Sequence, residues 1–249
     1  MEKGLKDIFL YKWRKYFGNA ELPVTYFYSD ETPENKSNMS GKQEPCLICK
    51  LNMVREGQNF VYSSASPGCP GGKRYTGFAT GLRSNFEYFL SCGLPGKIEG
   101  ERYKKSPELV KDYLKNNPPF RATAKYLIFK RWDNLITGDK PVAAIFFATP
   151  DILSGLFTLA NYDRSDPDGV IAPMGSGCSS IVSYPLAEAK SQRPRCVLGM
   201  FDVSARPCTP SNTLTLTIPI KRLNEMVENM DESFLITESW DKVKQRIGA

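Results

Sequence analysis

The chain has 249 residues, of which 41 % are hydrophobic, 12 % aromatic and 24 % charged, proportions that fit a globular protein and exclude disordered and collagen-like classes. It contains seven Cys and no His, so Ser-His-Asp and Cys-His catalysis are excluded, no imidazole can bind zinc, and any general base is a carboxylate, Lys, Tyr or thiolate. Lys plus Arg is 33 against 27 for Asp plus Glu, a net charge of +6; this surplus favours anionic ligands, but it is scattered along the chain.

Residues 1–20 read as an amphipathic helix, with Leu5, Ile8, Phe9, Trp13, Tyr16 and Phe17 on one face and Gly18 as its C-terminal stop. Within it, 11–16 (YKWRKY) is the one stretch that resembles a basic, aromatic-interleaved nucleic-acid stripe; helical spacing makes core packing the simpler account. The start has no apolar leader, and no run reaches the ~18 apolar residues of a membrane span. The expectation is a cytoplasmic protein with neither nucleic acid nor membrane as partner, and a homodimer is left open. In a reducing compartment an odd set of seven Cys is not expected to form a disulfide framework.

Residues 22–28 have the β-branched and aromatic content of a strand. The polar segment 29–44, with Pro33 and Gly41, reads as a long mobile loop of the kind that can serve as a lid. A short helix over 46–56 turns Leu47, Leu51 and Val54 inward, and a brief strand follows at 60–62. Aromatics at Tyr75, Phe78, Phe86 and Phe89 predict a helix over 75–92 closed by Gly93. Ser106, Pro107 and Glu108 are the N-cap and first turn of another, over 106–114.

The clearest strands are 126–132 and 142–148, joined through a turn at Thr137, Gly138 and Asp139; the second is apolar at every position, as for a strand buried on both faces. Pro150 and Asp151 open a helix carrying Ile152, Leu153, Leu156, Phe157 and Leu159. Next come a short strand at 170–172, a helix over 180–190 and a strand at 196–201. Residues 213–218 alternate, with Leu214, Leu216 and Ile218 inward and threonines outward, predicting one exposed face. Ile220, Leu223, Val227 and Met230 share a helix face, and a helical tail surrounds Trp240. Strand pairs joined by turns and mixed with crossover helices give an α+β fold: a single domain over 1–249 with a mixed sheet flanked by helices. Segments 126–160 and 196–230 share this pattern but negligible residue identity.

Four segments could carry chemistry. Gly175, Ser176, Gly177 and Cys178 lie between a strand and a helix, where the glycines let backbone approach a ligand and free N–H groups favour an anion or a depressed thiol pKa. A Gly-rich turn around a small buried Cys is the equal alternative. Cys69 sits in a tight turn with Lys73 and Arg74 four and five positions along the chain, again either an activated thiol or a structural turn. Cys46 and Cys49 have the C-x-x-C spacing of a redox pair or half a metal knuckle, with no second copy to complete a zinc ribbon. After the 196–201 strand, Asp202 and Arg206 precede Cys208; they bind an anion or, more simply, each other. Cys92 and Cys196 have apolar neighbours and read as inert core thiols.

The same segments carry a family resemblance. An early Cys followed by REG (55–57), CPGG (69–72), GERY (100–103), the PD-LSGLF-LANYD run (150–163), IAP-GSGCSS (171–180), GMFDVSARP (199–207) and the ESF-W-RI ending (232–247) together resemble the uncharacterised domain-of-unknown-function family 169, widespread in anaerobic bacteria and archaea. The likeness runs from about residue 23 onward. It implies a cytoplasmic protein whose Cys and Gly positions gather in a few loops, favours Cys69 and Cys178 over Cys92 and Cys196, and assigns no reaction. An anaerobic setting suits an oxygen-sensitive cluster. Two functions are therefore carried forward. In the first, Cys46, Cys49, Cys69, Cys178 and Cys208 supply thiolates to an iron–sulfur cluster or another metal. In the second, a metal-free binding protein or enzyme holds an anionic small molecule through Gly175, Ser176, Gly177, Lys73, Arg74 and Arg206.

Overall fold

The computed structural model describes residues 3–33 and 46–248. A seven-stranded mixed sheet forms its centre, in the order β2-β3-β1-β4-β7-β6-β5. The strands are β1 (Val24–Ser29), β2 (Phe60–Ser63), β3 (Tyr126–Arg131), β4 (Ala143–Ala148), β5 (Val170–Ile171), β6 (Cys196–Gly199) and β7 (Leu214–Pro219). Neighbours are antiparallel except β5 and β6, which run parallel. With helices on both sides of the sheet this is the expected α+β architecture. Strands β3 and β4 are not hydrogen-bonded to each other, because β1 inserts between them, whereas β6 and β7 pair directly.

Central β4 is buried at all six positions, as its unbroken apolar run predicts, and it divides two cores. Ala144, Phe146 and Ala148 point to one side, Ala143, Ile145 and Phe147 to the other. The first side is roofed by α1 (Lys3–Phe17), α6 (Pro150–Leu159), α8 (Ile220–Asn229) and α9 (Glu238–Ile247). Phe9, Trp13, Tyr16 and Phe17 of α1 are buried there, so Trp13 and Tyr16 of the YKWRKY stretch pack in the core while its Tyr11 is exposed; Ile8, placed on the same face by spacing, is half exposed. Trp13 stacks on Phe17 with ring centroids 4.3 Å apart, a pair worth about 0.5–1.5 kcal/mol beyond its buried area. Gly155 lets α6 approach α9, since a Cβ there would overlap the Trp240 ring.

The second side is covered by α2 (Leu47–Arg55), α3 (Pro70–Tyr75), a π-helical turn (Ser179–Ser183) and α7 (Tyr184–Glu188). Leu47, Leu51 and Val54 face inward as predicted. The remaining helices are α4 (Phe86–Phe89) and α5 (Pro107–Asn116), the latter capped by the Ser106 side chain on the Leu109 N–H.

Four expectations need correction. The helix over 75–92 is broken: Gly77 (φ +80°) packs against the Ala122 backbone and Asn85 is left-handed (φ 59°), leaving only Phe86–Phe89 helical in the later part. Thr215 and Thr217 are fully buried, so β7 has no exposed face; alternation in sequence marks the polar side of a strand without saying what covers it. Cys92 is exposed rather than core, on the turn after α4. Segment 180–190 begins with π rather than α geometry. The loop expected over 29–44 lies, from residue 34 onward, outside the described residues.

Candidate thiolate site

Four chain segments, carrying Cys46 and Cys49, Cys69, Cys178 and Cys208, converge on the second side of the sheet. Cys46 immediately precedes the first turn of α2, and Cys49 lies three residues along it, so both occupy the same side of the helix start. Opposite them, a 3₁₀ turn (Arg206–Cys208) brings Cys208 to α2, where Asn52 Nδ2 donates to the Cys208 carbonyl at 3.1 Å. The Sγ atoms of Cys46, Cys49 and Cys208, all half-buried, lie within 4.8 Å of one another. Cys49 and Cys208 form a disulfide with a Cα–Cα distance of 4.7 Å. This corrects the expectation that the cysteines form no disulfide: the pair is 159 residues apart in sequence, and only the docking of the 3₁₀ turn on α2 brings it together.

Cys69 caps α3, its Sγ accepting from the Gly72 N–H at 3.2 Å. Cys178 is buried among Val182, Met200 and Ala205. Burial first, then the neighbouring thiols of Cys69 and Cys46 and the Asp202 carboxylate, push the Cys178 thiol well above the ordinary cysteine range. The depressed pKa expected at a helix start is therefore corrected, because the side chain points into the core and the turn's N–H groups are already used. Cys196, on the opposite side of the sheet, is the inert core thiol expected, pushed up to about 12 by burial.

Between these thiols stands Tyr62, a residue the sequence offered only as part of a brief aromatic strand. Its ring is buried and its hydroxyl, turned toward Gly68 and Gly72 beside Cys69, has no hydrogen-bond partner among the described residues. Burial raises its pKa, and Cys178, Cys69 and Cys46 add to the rise through charge. An unpartnered buried hydroxyl costs about 1–3 kcal/mol. The Thr215 and Thr217 hydroxyls on the same side of the sheet are also unpartnered.

The residues expected to hold an anion are occupied by the protein itself. Lys73 Nζ donates to the carbonyls of Ser63 and Ser64 at 2.5 and 2.7 Å and lies over the Tyr62 ring. Arg74 is buried and donates to the Thr80 carbonyl. Arg206 does not pair with Asp202; it closes its own loop on the carbonyls of Pro210, Ser211 and Thr213 and on the Thr209 hydroxyl. In the glycine-rich turn, Ser176 caps the Ser179 N–H and Asp202 Oδ2 accepts from the Gly177 N–H at 2.8 Å. A carboxylate therefore already sits at the turn where an anion was expected. Gly175 and Gly177 are small because Ser179, Tyr184, Ala205, Ile48 and Met200 crowd against them.

The family model described as "Uncharacterised ArCR", DUF169, matches residues 14–229. No curated protein and no solved structure matches the chain. Among the described residues no helix is long and apolar enough to cross a membrane.

Proposed function

With a match over residues 14–229 the chain belongs to the DUF169 family, which brings no assigned activity, and we propose from the site's own geometry that the reduced protein binds a soft metal through loop thiolates. The observation that carries this is the meeting of the Cys46, Cys49 and Cys208 sulfurs within 4.8 Å. Four thiolates around one tetrahedral ion at ~2.3 Å stand about 3.8 Å apart, so three sulfurs so closely gathered suit a single ion once the disulfide is reduced. An iron–sulfur cluster, commonly held by four cysteines, would draw on Cys69 or Cys178 as well. The absence of His from the whole chain leaves the Cys thiolate, with the Met thioether, as the soft donors. The setting is read as cytoplasmic, where reducing conditions keep such thiols available.

The test is anaerobic purification with a reductant, followed by metal and acid-labile sulfide analysis and a visible spectrum. About one metal per chain without sulfide, or two to four irons per chain with sulfide in equal amount, lost in Cys46→Ser, supports the reading, the second result identifying the cluster form. A metal-free protein that takes up neither iron nor zinc after reduction rejects it.

A further inference from the structure

A C-x-x-C pair at the start of a helix usually bonds within itself when oxidised, yet here the second cysteine is bonded elsewhere. Cys49 is joined to Cys208, while the Cys46 sulfur lies within 4.8 Å of both members of that bond. A thiol beside a disulfide is the geometry of thiol–disulfide exchange, which proceeds by thiolate attack on one sulfur and departure of the other.

The surroundings hold all three in place without the bond. Cys46 and Cys49 are fixed by one helix turn. Cys208 is presented by a loop that closes on itself through Arg206, with four hydrogen bonds to Thr209, Pro210, Ser211 and Thr213, and that is tied to α2 through Asn52. A Cys208 thiolate displaced from Cys49 would therefore stay beside it, which makes the step reversible.

We propose that Cys46, Cys49 and Cys208 form a thiol–disulfide exchange centre in which Cys46 displaces Cys208 from Cys49, so that the oxidised protein interconverts between Cys49–Cys208 and Cys46–Cys49 disulfides. In the forward step the Cys46 thiol gives up its proton, the Cys46–Cys49 bond forms, the Cys49–Cys208 bond breaks, and the departing Cys208 thiolate takes up a proton. One disulfide is present before and after, so no oxidant is consumed. An external dithiol can then reduce either form, supplying two electrons and two protons and leaving as its own cyclic disulfide, while the protein becomes the three-thiol state. The inference goes beyond the metal reading and does not depend on it.

The experiment equilibrates the full-length protein with dithiothreitol and its oxidised form over a series of ratios, in the presence of a chelator so that metal binding plays no part. Acid quenching, alkylation and peptide mapping then locate the disulfides. The expected result is a Cys46–Cys49 linkage in the wild type amounting to at least about a tenth of the disulfide, the population of a state within about 1.4 kcal/mol of the other. In Cys208→Ser the same linkage should dominate, and Cys46→Ser should contain only Cys49–Cys208. A wild-type map showing Cys49–Cys208 alone across the whole series overturns the proposal, whether or not Cys208→Ser folds. So does a folded Cys208→Ser protein whose Cys46 stays a thiol when Cys49 is oxidised.

Discussion

On the side of the sheet covered by α1, α6, α8 and α9, the buried tryptophans use their polar atoms, the Trp13, Trp132 and Trp240 indoles donating to the carbonyls of Ala20, Lys6 and Tyr16, while Arg222 Nε and Asn224 Oδ1 of α8 are buried without partners among the described residues. On the side covered by α2, α3 and the π-helical turn, the buried hydroxyls of Tyr62, Thr215 and Thr217 have no partner among the described residues, and four cysteines, Cys46, Cys49, Cys69 and Cys178, gather there with Cys208. The two sides share every strand, so the strands do not explain the difference. What differs is the roof: long helices with regular apolar stripes on one side, short helices and tight turns on the other. A roof of turns brings sulfur from distant parts of the chain to one place, where regular packing gives way to a site.

The contrast can be broken in order of effect. Trp13→Ala on the helix-covered side should cost about 3–5 kcal/mol in urea unfolding, since the indole is fully buried between Phe9, Phe17 and Phe146. A loss below about 1 kcal/mol would mean that this side is not the tightly packed one. Reducing the Cys49–Cys208 bond should cost less, about 2–4 kcal/mol, by releasing the unfolded chain from a link spanning 159 positions. An unchanged denaturant midpoint after reduction would remove the disulfide from the stability of this side.

A smaller effect comes from acid. Arg222 holds the Asp163 carboxyl down to about 2, with Asn229 adding a hydrogen bond. A carboxyl with a folded pKa below its usual 3.8 stabilises the protein above that usual value and loses the contribution as pH falls toward 2. Asp163 is about one-third exposed, so solvent screening limits the effect to about 1 kcal/mol or less. Stability measured from pH 5 down to about pH 2 should therefore fall less steeply in Asp163→Asn than in the wild type, and parallel curves would contradict the pairing. Smallest of all is Tyr62→Phe, which removes an unpartnered hydroxyl and should leave stability unchanged or raise it by up to about 1 kcal/mol. A loss of more than about 1 kcal/mol would show that the hydroxyl is hydrogen-bonded in the folded protein.

Local chemistry made much of the fold legible. The apolar run of β4, the Ser106 cap of α5 and the inward face of α2 are each decided by residues within one or two turns, and each stands where the sequence puts it. The site was legible in its parts, since all five loop cysteines were identifiable by context. Their pairing was not, because the Cys49–Cys208 bond and the approach of Cys178 to Cys69 depend on contacts between segments far apart in the chain. Cys92 and Thr217 show the same limit. Neighbours in sequence gave the one an apolar setting and the other a polar face, and packing left Cys92 exposed and buried Thr217.

The most direct test of the thiolate reading is X-ray absorption at the metal edge of protein reduced and loaded with zinc or iron under anaerobic conditions. The expected result is a first shell dominated by sulfur at about 2.3 Å with no imidazole contribution, and loss of that shell in Cys46→Ser. A shell of oxygen ligands, or one that Cys46→Ser leaves intact, would contradict it.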